Sequence, residues 1–279
     1  MIIHQNYKNK TNTDKMPEKK EIKLGPAGIG GFKDAPAYLE EYSRLGISCA
    51  EIPFTYGVWL DNKQAEEIGN AAKKYNIQLS IHAPYYINLN SDEKAKVEAS
   101  EKRILDCCER AHHLGAKYVV FHAAFYGKKS PKQVYDVVKK RILEMQKVIK
   151  KNNWQVFLAP ETTGKPSQFG TLKELLLLVK ETGCFFTIDF AHIEAREGKE
   201  NYKAVLEILK KAHIENIHCH FSGIEYGEKG EKRHVVTELD KLKRLLSLLK
   251  KSKLEATFIN ESPSPVEDSL KAIKVLKSL

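Results

Sequence analysis

The sequence lacks any apolar run long enough to cross a membrane. Its longest uninterrupted apolar stretch, around Leu175–Val179, is far shorter than the roughly 20 residues that a transmembrane helix needs. The first residues lack the apolar segment and the small-residue cleavage site of a secretory signal. We therefore predict a protein without membrane partners, located in the cytoplasm.

Cysteine patterns that indicate disulfides or thiolate metal sites are also missing. None of the five cysteines forms a C-x-x-C pair. Cys184 and Cys219 lie in apolar, strand-like stretches, where free thiols usually pack as small hydrophobic groups. This usage of cysteine fits a reducing cytosol best.

Negative charge is scarce relative to positive charge. The chain has 46 Lys and Arg against 36 Asp and Glu, which gives a net charge of +10. Such an excess favours phosphate-rich partners, but a lysine-coated surface explains it equally well. Residues 1–20 hold five lysines and two acidic residues without periodicity. We predict a disordered basic tail there and a single folded domain over residues 21–279.

From residue 21 the chain alternates between short β-rich runs and stretches with apolar residues at helical spacing. The predicted strands are Ile22–Pro26, Ser48–Phe54, Gln78–His82, Tyr118–His122, Gln155–Glu161, Phe185–Asp189, Asn216–His220 and Ala256–Glu261. An eighth helix follows at Val266–Leu279. Eight βα units predict an α/β fold of the (β/α)₈ TIM barrel type. A doubly wound open sheet is the alternative, but no G-x-G-x-x-G turn supports it.

Helix ends are marked by residues that suit caps. We predict Ser91 as the N-cap of the third helix and Thr171 as that of the fifth, because a short hydroxyl side chain can accept a hydrogen bond from the first turn. Gly46, Gly115 and Gly183 follow helix ends, where a left-handed conformation is favoured.

Six consecutive predicted strands, the third to the eighth, end in side chains that can ligate a metal. They are His82, His122, Glu161, Asp189, His220 and Glu261. Reactive groups of a barrel collect at the carboxyl ends of its strands, so we expect these side chains to converge at the mouth. One strand-end histidine alone is usually structural, but six donors in succession favour a site for Zn²⁺ or Mn²⁺.

Neighbouring positions support this orientation and leave some roles open. Two residues before five of the ligands, the side chain is small or apolar: Ser80, Val120, Ala159, Thr187 and Ile259. A period of two would point both members of each pair into the barrel. In the seventh strand we predict His220 as the ligand and give His218 a packing or supporting role. Glu51 either faces the mouth or is buried beside a basic partner.

The strand ends and the loops after them resemble motifs of the endonuclease IV family. The matching segments are IHAPYYINL, FHAAF, APETTG, TIDFAH, HFSGIEYGEKGEKRH and NESP, in the family's order and spacing. Members of this family are zinc-dependent apurinic/apyrimidinic endonucleases among the xylose-isomerase-like barrels. The resemblance runs from about residue 21 to the C-terminus.

This resemblance implies a set of metal ligands. They are His82, His122, Glu161, Asp189, His192, His220, His234 and Glu261. The first two histidines would hold one zinc, and Glu161 would bridge it to a second. The remaining strand-end ligands would complete that second site, and the loop residues His192 and His234 would hold a third metal. Both loop histidines are otherwise expected to be solvated.

The chain departs from the family at one ligand of the third metal. Two residues before His234, where the family has an aspartate, it has Lys232. A protonated lysine cannot ligate a metal. Either the third metal is weak or absent, or Glu231 or Glu228 replaces the aspartate, or Lys232 supplies positive charge to the scissile phosphate. We expect two zinc ions, leave the third open, and keep Mn²⁺ as an alternative.

The chemistry that the resemblance implies is DNA repair. Such an enzyme cleaves the phosphodiester 5′ to an abasic site in duplex DNA with a metal-activated hydroxide, leaving a 3′-hydroxyl and a 5′-deoxyribose phosphate. Glu161 would be the catalytic residue, bridging the metals and orienting the hydroxide. We expect the protein to act as a monomer, because no long apolar surface stripe demands a partner.

DNA contacts are expected from the loops at the mouth. Tyr85 and Tyr86 match the family position that enters the minor groove at the lesion, although they could equally cap the barrel. Lys229, Lys232 and Arg233 lie in another mouth loop and are candidate phosphate contacts.

Two other functions remain open. A sugar isomerase or epimerase on the same barrel would share Glu161, Asp189, His220 and Glu261 around a single metal, and only the additional histidines separate the two interpretations. A non-catalytic lesion-binding protein with a degraded metal centre is the other, and the replacement at position 232 makes it conceivable.

Overall fold

The computed structural model describes residues 21–279, so the predicted basic tail at 1–20 lies outside the described residues. The strands are β1 (Ile22–Pro26), β2 (Cys49–Pro53), β3 (Gln78–His82), β4 (Tyr118–Phe121), β5 (Ala124–Phe125), β6 (Phe157–Pro160), β7 (Gln168–Phe169), β8 (Thr187–Asp189), β9 (Asn216–Phe221), β10 (Gly223–Gly227), β11 (Gly230–Val235) and β12 (Glu255–Asn260). The helices are α1 (Ala35–Leu45), α2 (Asn62–Lys74), α3 (Lys94–Leu114), α4 (Pro131–Lys151), α5 (Leu172–Thr182), α6 (Phe190–Glu197), α7 (Tyr202–Lys211), α8 (Leu239–Ser252) and α9 (Pro265–Ser278). Within this part of the chain, none of the helices combines the length and apolar character that a membrane span requires.

Eight parallel strands close into a barrel. Two four-stranded sheets, β2-β3-β4-β6 and β1-β12-β9-β8, meet along two seams. At one seam Ala27 bridges to Glu51, and at the other Glu161 bridges to Thr187, both in parallel register. The strands therefore follow one another around the barrel in chain order, which confirms the predicted α/β TIM-barrel fold.

Every predicted strand overlaps a barrel strand, but three features at the mouth were not predicted. Two small antiparallel pairs, β5 with β7 and β10 with β11, extend the loops above the barrel. The short helix α6 begins directly where β8 ends. These pieces are short or polar, so they produce no hydrophobic periodicity in the sequence.

The helix-cap predictions were mostly confirmed. Thr171 Oγ1 accepts a hydrogen bond from Glu174 N at 3.2 Å, and the three predicted glycines follow helix ends with positive φ. The prediction for Ser91 was wrong, because α3 begins after Glu93. The Ser91 hydroxyl instead accepts from Glu93 N at 3.2 Å and closes a turn ahead of the helix.

Apolar residues fill two separate regions. The larger core lies between the outward faces of the strands and the helices. A smaller cluster is formed by Tyr118, Val120, Ala159 and Phe185. Because Val120 and Ala159 lie two residues before His122 and Glu161, this cluster lines the barrel interior beneath the predicted ligands. The polar side chains above it are thereby left at the mouth.

Candidate metal centre

The six predicted strand-end residues, here called the ligand ring, converge at the mouth. The structure contains four groups of donor side chains, and within each group the donor atoms all lie within 4.8 Å of one another. They are His82 with His122 and Glu161; Glu161 with Asp189, His220 and Glu261; Asp189 with His192 and His234; and Glu51 with His218 and His220. All eight predicted ligands fall into the first three groups. The fourth group contains two residues whose roles the sequence left open.

Glu161 faces two of these groups with different oxygens. Its Oε2 lies 3.1 Å from Nε2 of His82 and 3.1 Å from Nε2 of His122. Its Oε1 lies 3.2 Å from Nδ1 of His220. One carboxylate can therefore serve two adjacent cation positions, as a bridging ligand must.

The donor spacing fits a cation the size of zinc. Tetrahedral bonds of about 2.0–2.1 Å place neighbouring donor atoms roughly 3.3 Å apart. The distance from His220 Nδ1 to Glu261 Oε2 is 3.3 Å, close to this value. Asp189 Oδ2 is buried and makes no hydrogen bond within residues 21–279. Its charge partner is His192 Nδ1 at 3.4 Å. A buried carboxylate oxygen without a hydrogen bond is costly, and a cation at this position would satisfy it.

Helix α6 explains how Asp189 and His192 come together. Asp189 ends β8 and caps α6, where its Oδ1 accepts a hydrogen bond from His192 N at 2.8 Å. This contact directs Oδ2 away from the helix backbone. It also places the His192 imidazole beside the ligand ring, where His192 Nδ1 lies 3.2 Å from Glu161 Oε1.

Backbone carbonyls orient two of the imidazoles. His82 Nδ1 lies 2.8 Å from Ala83 O, and His192 Nδ1 lies 3.0 Å from Thr162 O. A carbonyl only accepts, so each Nδ1 carries the proton of these bonds and Nε2 remains available as a donor to metal. The Nε2 atoms of His82 and His192 accordingly face other members of the site.

The third group gathers around the two loop histidines. His192 Nε2 and His234 Nε2 are 3.2 Å apart, and His234 Nδ1 is held by Ser222 Oγ at 2.6 Å. Glu231 Oε2 lies 3.5 Å from His192 Nε2, and the Glu231 side chain is only 17% exposed. Lys232 points elsewhere: it is 60% exposed, and its Nζ lies 3.7 Å from Glu225 Oε1.

A β-bulge explains why Glu231, and not Lys232, faces the loop histidines. In the β10–β11 hairpin Glu225 pairs with Arg233, whereas the next residue, Tyr226, pairs with Glu231. Lys232 is therefore the additional residue of the bulge, and alternation is shifted on its N-terminal side. Glu231 N donates to Gly164 O at 3.1 Å, which anchors the hairpin against the loop after β6.

Opposite charges hold Glu161 and His82 in their ionised forms, whereas burial has the larger effect on Asp189. Burial alone would raise the pKa of Glu161, but His220 and His122 hold it well below its usual value. Burial alone would lower the pKa of His82, but the hydrogen bond to Glu161 raises it to about 9. For Asp189 burial dominates and raises the pKa, although His192 opposes it. The His82 imidazole thus carries a proton that a divalent cation would displace.

The predicted DNA contacts form an exposed rim, defined here as Tyr85, Tyr86, Lys229, Lys232 and Arg233. The two tyrosines are 66% and 62% exposed in the loop after β3, and the Tyr85 ring lies 6.3 Å from that of His82. The three cationic residues are exposed on the β10–β11 hairpin. All five side chains are accessible, and their role in binding DNA stays a prediction.

Comparison with other sequences identifies two informative relatives. The chain is 34% identical over 276 residues to an uncharacterized protein of Methanocaldococcus jannaschii, an alignment that covers 93% of this chain and 99% of the relative. It is 29% identical over 198 residues to a protein of Mycoplasmopsis pulmonis named "Probable endonuclease 4", covering 66% of this chain and 69% of that one.

Solved structures share the architecture. Endonuclease IV from Thermus thermophilus superposes with a TM-score of 0.68 at 22% identity, covering 92% of this chain and 97% of that one. A 3-keto-D-glucoside 4-epimerase from E. coli also gives 0.68, at 16% identity, covering 93% and 100%. Identities this low show the fold alone. The family model described as xylose isomerase-like TIM barrel matches residues 39–279. The chain therefore belongs to the xylose isomerase-like TIM barrel family, and its relatives fit the resemblance to endonuclease IV.

Proposed function

We propose that the protein is a metal-dependent DNA repair endonuclease that cleaves duplex DNA 5′ to abasic sites, leaving a 3′-hydroxyl and a 5′-deoxyribose phosphate. The observation that carries this proposal is the two-sided contact of Glu161, with one oxygen toward His82 and His122 and the other toward His220. Paired cation sites suit displacement at a phosphodiester. The relative named "Probable endonuclease 4" supports the same assignment.

Zinc is the proposed metal, with Mn²⁺ as the alternative, because the donors are imidazoles and carboxylates. When bound, two such ions activate water and neutralise charge that develops on a phosphate. Glu161 would set the separation of the two positions and would orient the attacking water. Asp189 and His220 would hold the second ion from the ends of β8 and β9.

The protein would act as a monomer and would bind the lesion in duplex DNA through the rim. An abasic nucleotide has lost its base stacking, so the helix opens there at the lowest cost. Tyr85 and Tyr86 would enter the groove at this point. Lys229, Lys232 and Arg233 would contact phosphates on the flanking strands.

A third, weaker cation position would be completed by Glu231 in place of the family's aspartate. Its carboxylate lies 3.5 Å from His192 Nε2, across from His234. Zinc stoichiometry tests this assignment: Glu231→Gln should lose the most readily chelated ion, whereas Glu228→Gln, in the exposed turn of the same hairpin, should retain it. Lys232→Asp should not strengthen the site, because residue 232 points outward. A gain of affinity in Lys232→Asp would contradict the assignment.

A single-metal sugar isomerase or epimerase is the second candidate. Two observations favour it: Glu161, Asp189, His220 and Glu261 form a complete donor group by themselves, and an epimerase shares the fold. It gives no role to the converging His82 and His122, or to His192 and His234. We therefore rank it below the nuclease.

One assay separates these functions. The protein is incubated with duplex DNA carrying a synthetic abasic analogue, with and without a chelator, beside an undamaged duplex of the same sequence. Metal-dependent incision 5′ to the analogue supports the nuclease. Lesion binding without incision would indicate a non-catalytic binding protein. Ketose isomerisation or epimerisation without nicking would indicate the sugar enzyme.

A further inference from the structure

The fourth donor group lies inside the barrel, and two of its three members, Glu51 and His218, are not among the predicted ligands. Glu51 on β2 is fully buried. Its Oε2 accepts hydrogen bonds from Ser80 Oγ at 2.7 Å and from His218 Nε2 at 2.9 Å. Its Oε1 lies 3.0 Å from His220 Nε2. The carboxylate therefore connects a buried histidine to a member of the ligand ring.

His220 has two distinct sides. Its Nδ1 faces the ring, 3.2 Å from Glu161 Oε1 and 3.3 Å from Glu261 Oε2. An imidazole that ligates through Nδ1 carries its proton on Nε2, and that N–H needs an acceptor. Glu51 Oε1 lies 3.0 Å from this nitrogen, and among the described residues neither atom makes an aligned hydrogen bond in the metal-free protein, so each is free to pair with the other. Metal-ligating histidines almost always have such a partner.

The position of Glu51 is firmly fixed. Its backbone forms the seam between β1 and β2, where it bridges to Ala27 and its carbonyl accepts from Gly28 N at 2.8 Å. Ser80 lies directly opposite on β3. The carboxylate is thus held by groups on strands β3 and β9 while it reaches toward His220.

Packing alone does not account for a carboxylate here. The corresponding inward positions beneath the ligands of β4 and β6 are apolar, Val120 and Ala159, and they fill the interior without hydrogen bonds. Burying a carboxylate is costly unless donors surround it. Glu51 has two such donors, Ser80 and His218, and its other oxygen lies 3.0 Å from Nε2 of a metal-ligand candidate, His220.

We propose that Glu51 is a positioning residue of the metal centre: it accepts the Nε2–H of His220 and so fixes the orientation of that ligand, while Ser80 and His218 hold the carboxylate in place. The inference rests on the proposed metal centre but not on the DNA substrate. Loss of such an outer partner typically lowers metal affinity about 10–100-fold.

Zinc affinity provides the test. Metal-free protein is reconstituted with zinc, and the dissociation constant of each ion is measured by competition with a chromophoric chelator. Glu51→Gln keeps the volume but offers an amide N–H₂ to a site where all neighbours donate. We expect affinity at the position that includes His220 to fall about 10–100-fold. Glu51→Asp withdraws the carboxylate by one methylene and should also lower zinc affinity. It replaces Glu51→Gln as the test variant if Glu51→Gln fails to fold.

Thr187→Val is the matched control. Thr187 is also fully buried, is paired in register with His218, and its hydroxyl makes no hydrogen bond within residues 21–279. This variant should leave the zinc constants unchanged, and urea unfolding of each metal-free variant measures any effect on packing.

Three outcomes would overturn the inference. Lower stability of metal-free Glu51→Gln with unchanged zinc constants would assign Glu51 to packing. The wild type could instead bind one more zinc than the ligand ring and the loop histidines account for. If Glu51→Gln lacks that ion while Thr187→Val keeps it, a metal lies between Glu51 and His218. A wild type that binds no zinc would refute the centre itself. Lower zinc affinity in a protein that does not incise DNA would still support the inference, and only the substrate assignment would fail.

Discussion

The ligand ring and the rim lie at the same end of the barrel but differ in construction. Ring residues project from strand ends, and several of them are held by a second hydrogen bond, as His82 is by Ala83 O. Rim residues lie in the loop after β3 and on the β10–β11 hairpin and are exposed, and Lys232 and Arg233 share the Glu225 carboxylate. Reactive groups must be held within about half an ångström, whereas contacts to a flexible duplex tolerate loop motion. The comparison implies that chemistry and recognition can be altered separately.

The largest effect is expected from Glu161→Gln. Removing the bridging charge withdraws metal-derived stabilisation of several kcal/mol from the transition state, so incision should fall by about 10³-fold or more. Lesion binding should be retained because the rim is untouched. Single-turnover incision and gel-shift affinity measure the two properties. Glu207→Gln, an exposed carboxylate on the outer helix α7, serves as the control. Unchanged turnover in Glu161→Gln would contradict its assigned role.

A pH titration probes the ring alone. The pKa of His82 in the metal-free protein is raised to about 9 by Glu161, although burial opposes the shift. Below pH 9 a bound metal must displace that proton, so zinc affinity should fall about tenfold per pH unit on acidification. The stability of the metal-free protein should change in the opposite sense. The stabilisation from this raised pKa is complete below the ordinary value of 6.5 and is lost as pH rises through 9.

Zinc competition measured from pH 6.5 to 9.5 checks the first trend, and urea unfolding of metal-free protein checks the second. In Glu161→Gln both trends should weaken, because the partner that raises the pKa is neutral. A zinc affinity independent of pH would indicate that His82 is not a ligand.

Substitution in the aromatic part of the rim should have an intermediate effect. Tyr85→Ala and Tyr86→Ala remove exposed rings that would stack at the opened lesion, a contact of about 1–3 kcal/mol. Lesion affinity should therefore fall roughly tenfold while zinc content stays the same. Fluorescence anisotropy with abasic and intact duplexes measures the change. Tyr38→Ala, an exposed tyrosine on α1, is the control. Equal loss for both duplexes would exclude recognition of the lesion.

The smallest effect is expected from the cationic part of the rim. Arg233 Nε donates to Glu225 at 2.7 Å, and Lys232 is close to the same carboxylate, so a phosphate must compete for each. Lys232→Ala and Arg233→Ala should each weaken binding only about two- to threefold. Each should also lower the slope of log affinity against log salt by about 1. Lys147→Ala on the outer face of α4 should change neither value.

Sequence periodicity was sufficient to predict the barrel and the convergence of the ligand ring. Each barrel strand is an apolar run of fixed direction, and its last residue must lie at the mouth once eight such units close. That constraint made residues as distant as His82 and Glu261 predictable neighbours. Ser91 shows where local pattern fails: a hydroxyl before a polar segment suits either a helix cap or a turn, and only the start of α3 distinguishes them.

Two parts of the candidate site depend on pairings that local sequence does not encode. Alternation along β11 would place residues 232 and 234 on one face, but the bulge opposite Glu225 moves Glu231 inward and turns Lys232 to solvent. Glu51 precedes His218 by 167 residues, and the contact exists only because the barrel brings β2 opposite β9.

The amino-acid pattern by itself determined the number of βα units and which side chains end each strand. An apolar period of 2 residues indicates a strand and one of 3.6 a helix, and each period also shows which side chains face the core. Tertiary structure alone decided the register of the β10–β11 hairpin and the partner of each buried group. Those outcomes depend on hydrogen bonds between segments distant in sequence, whose energies are set by geometry rather than by residue type.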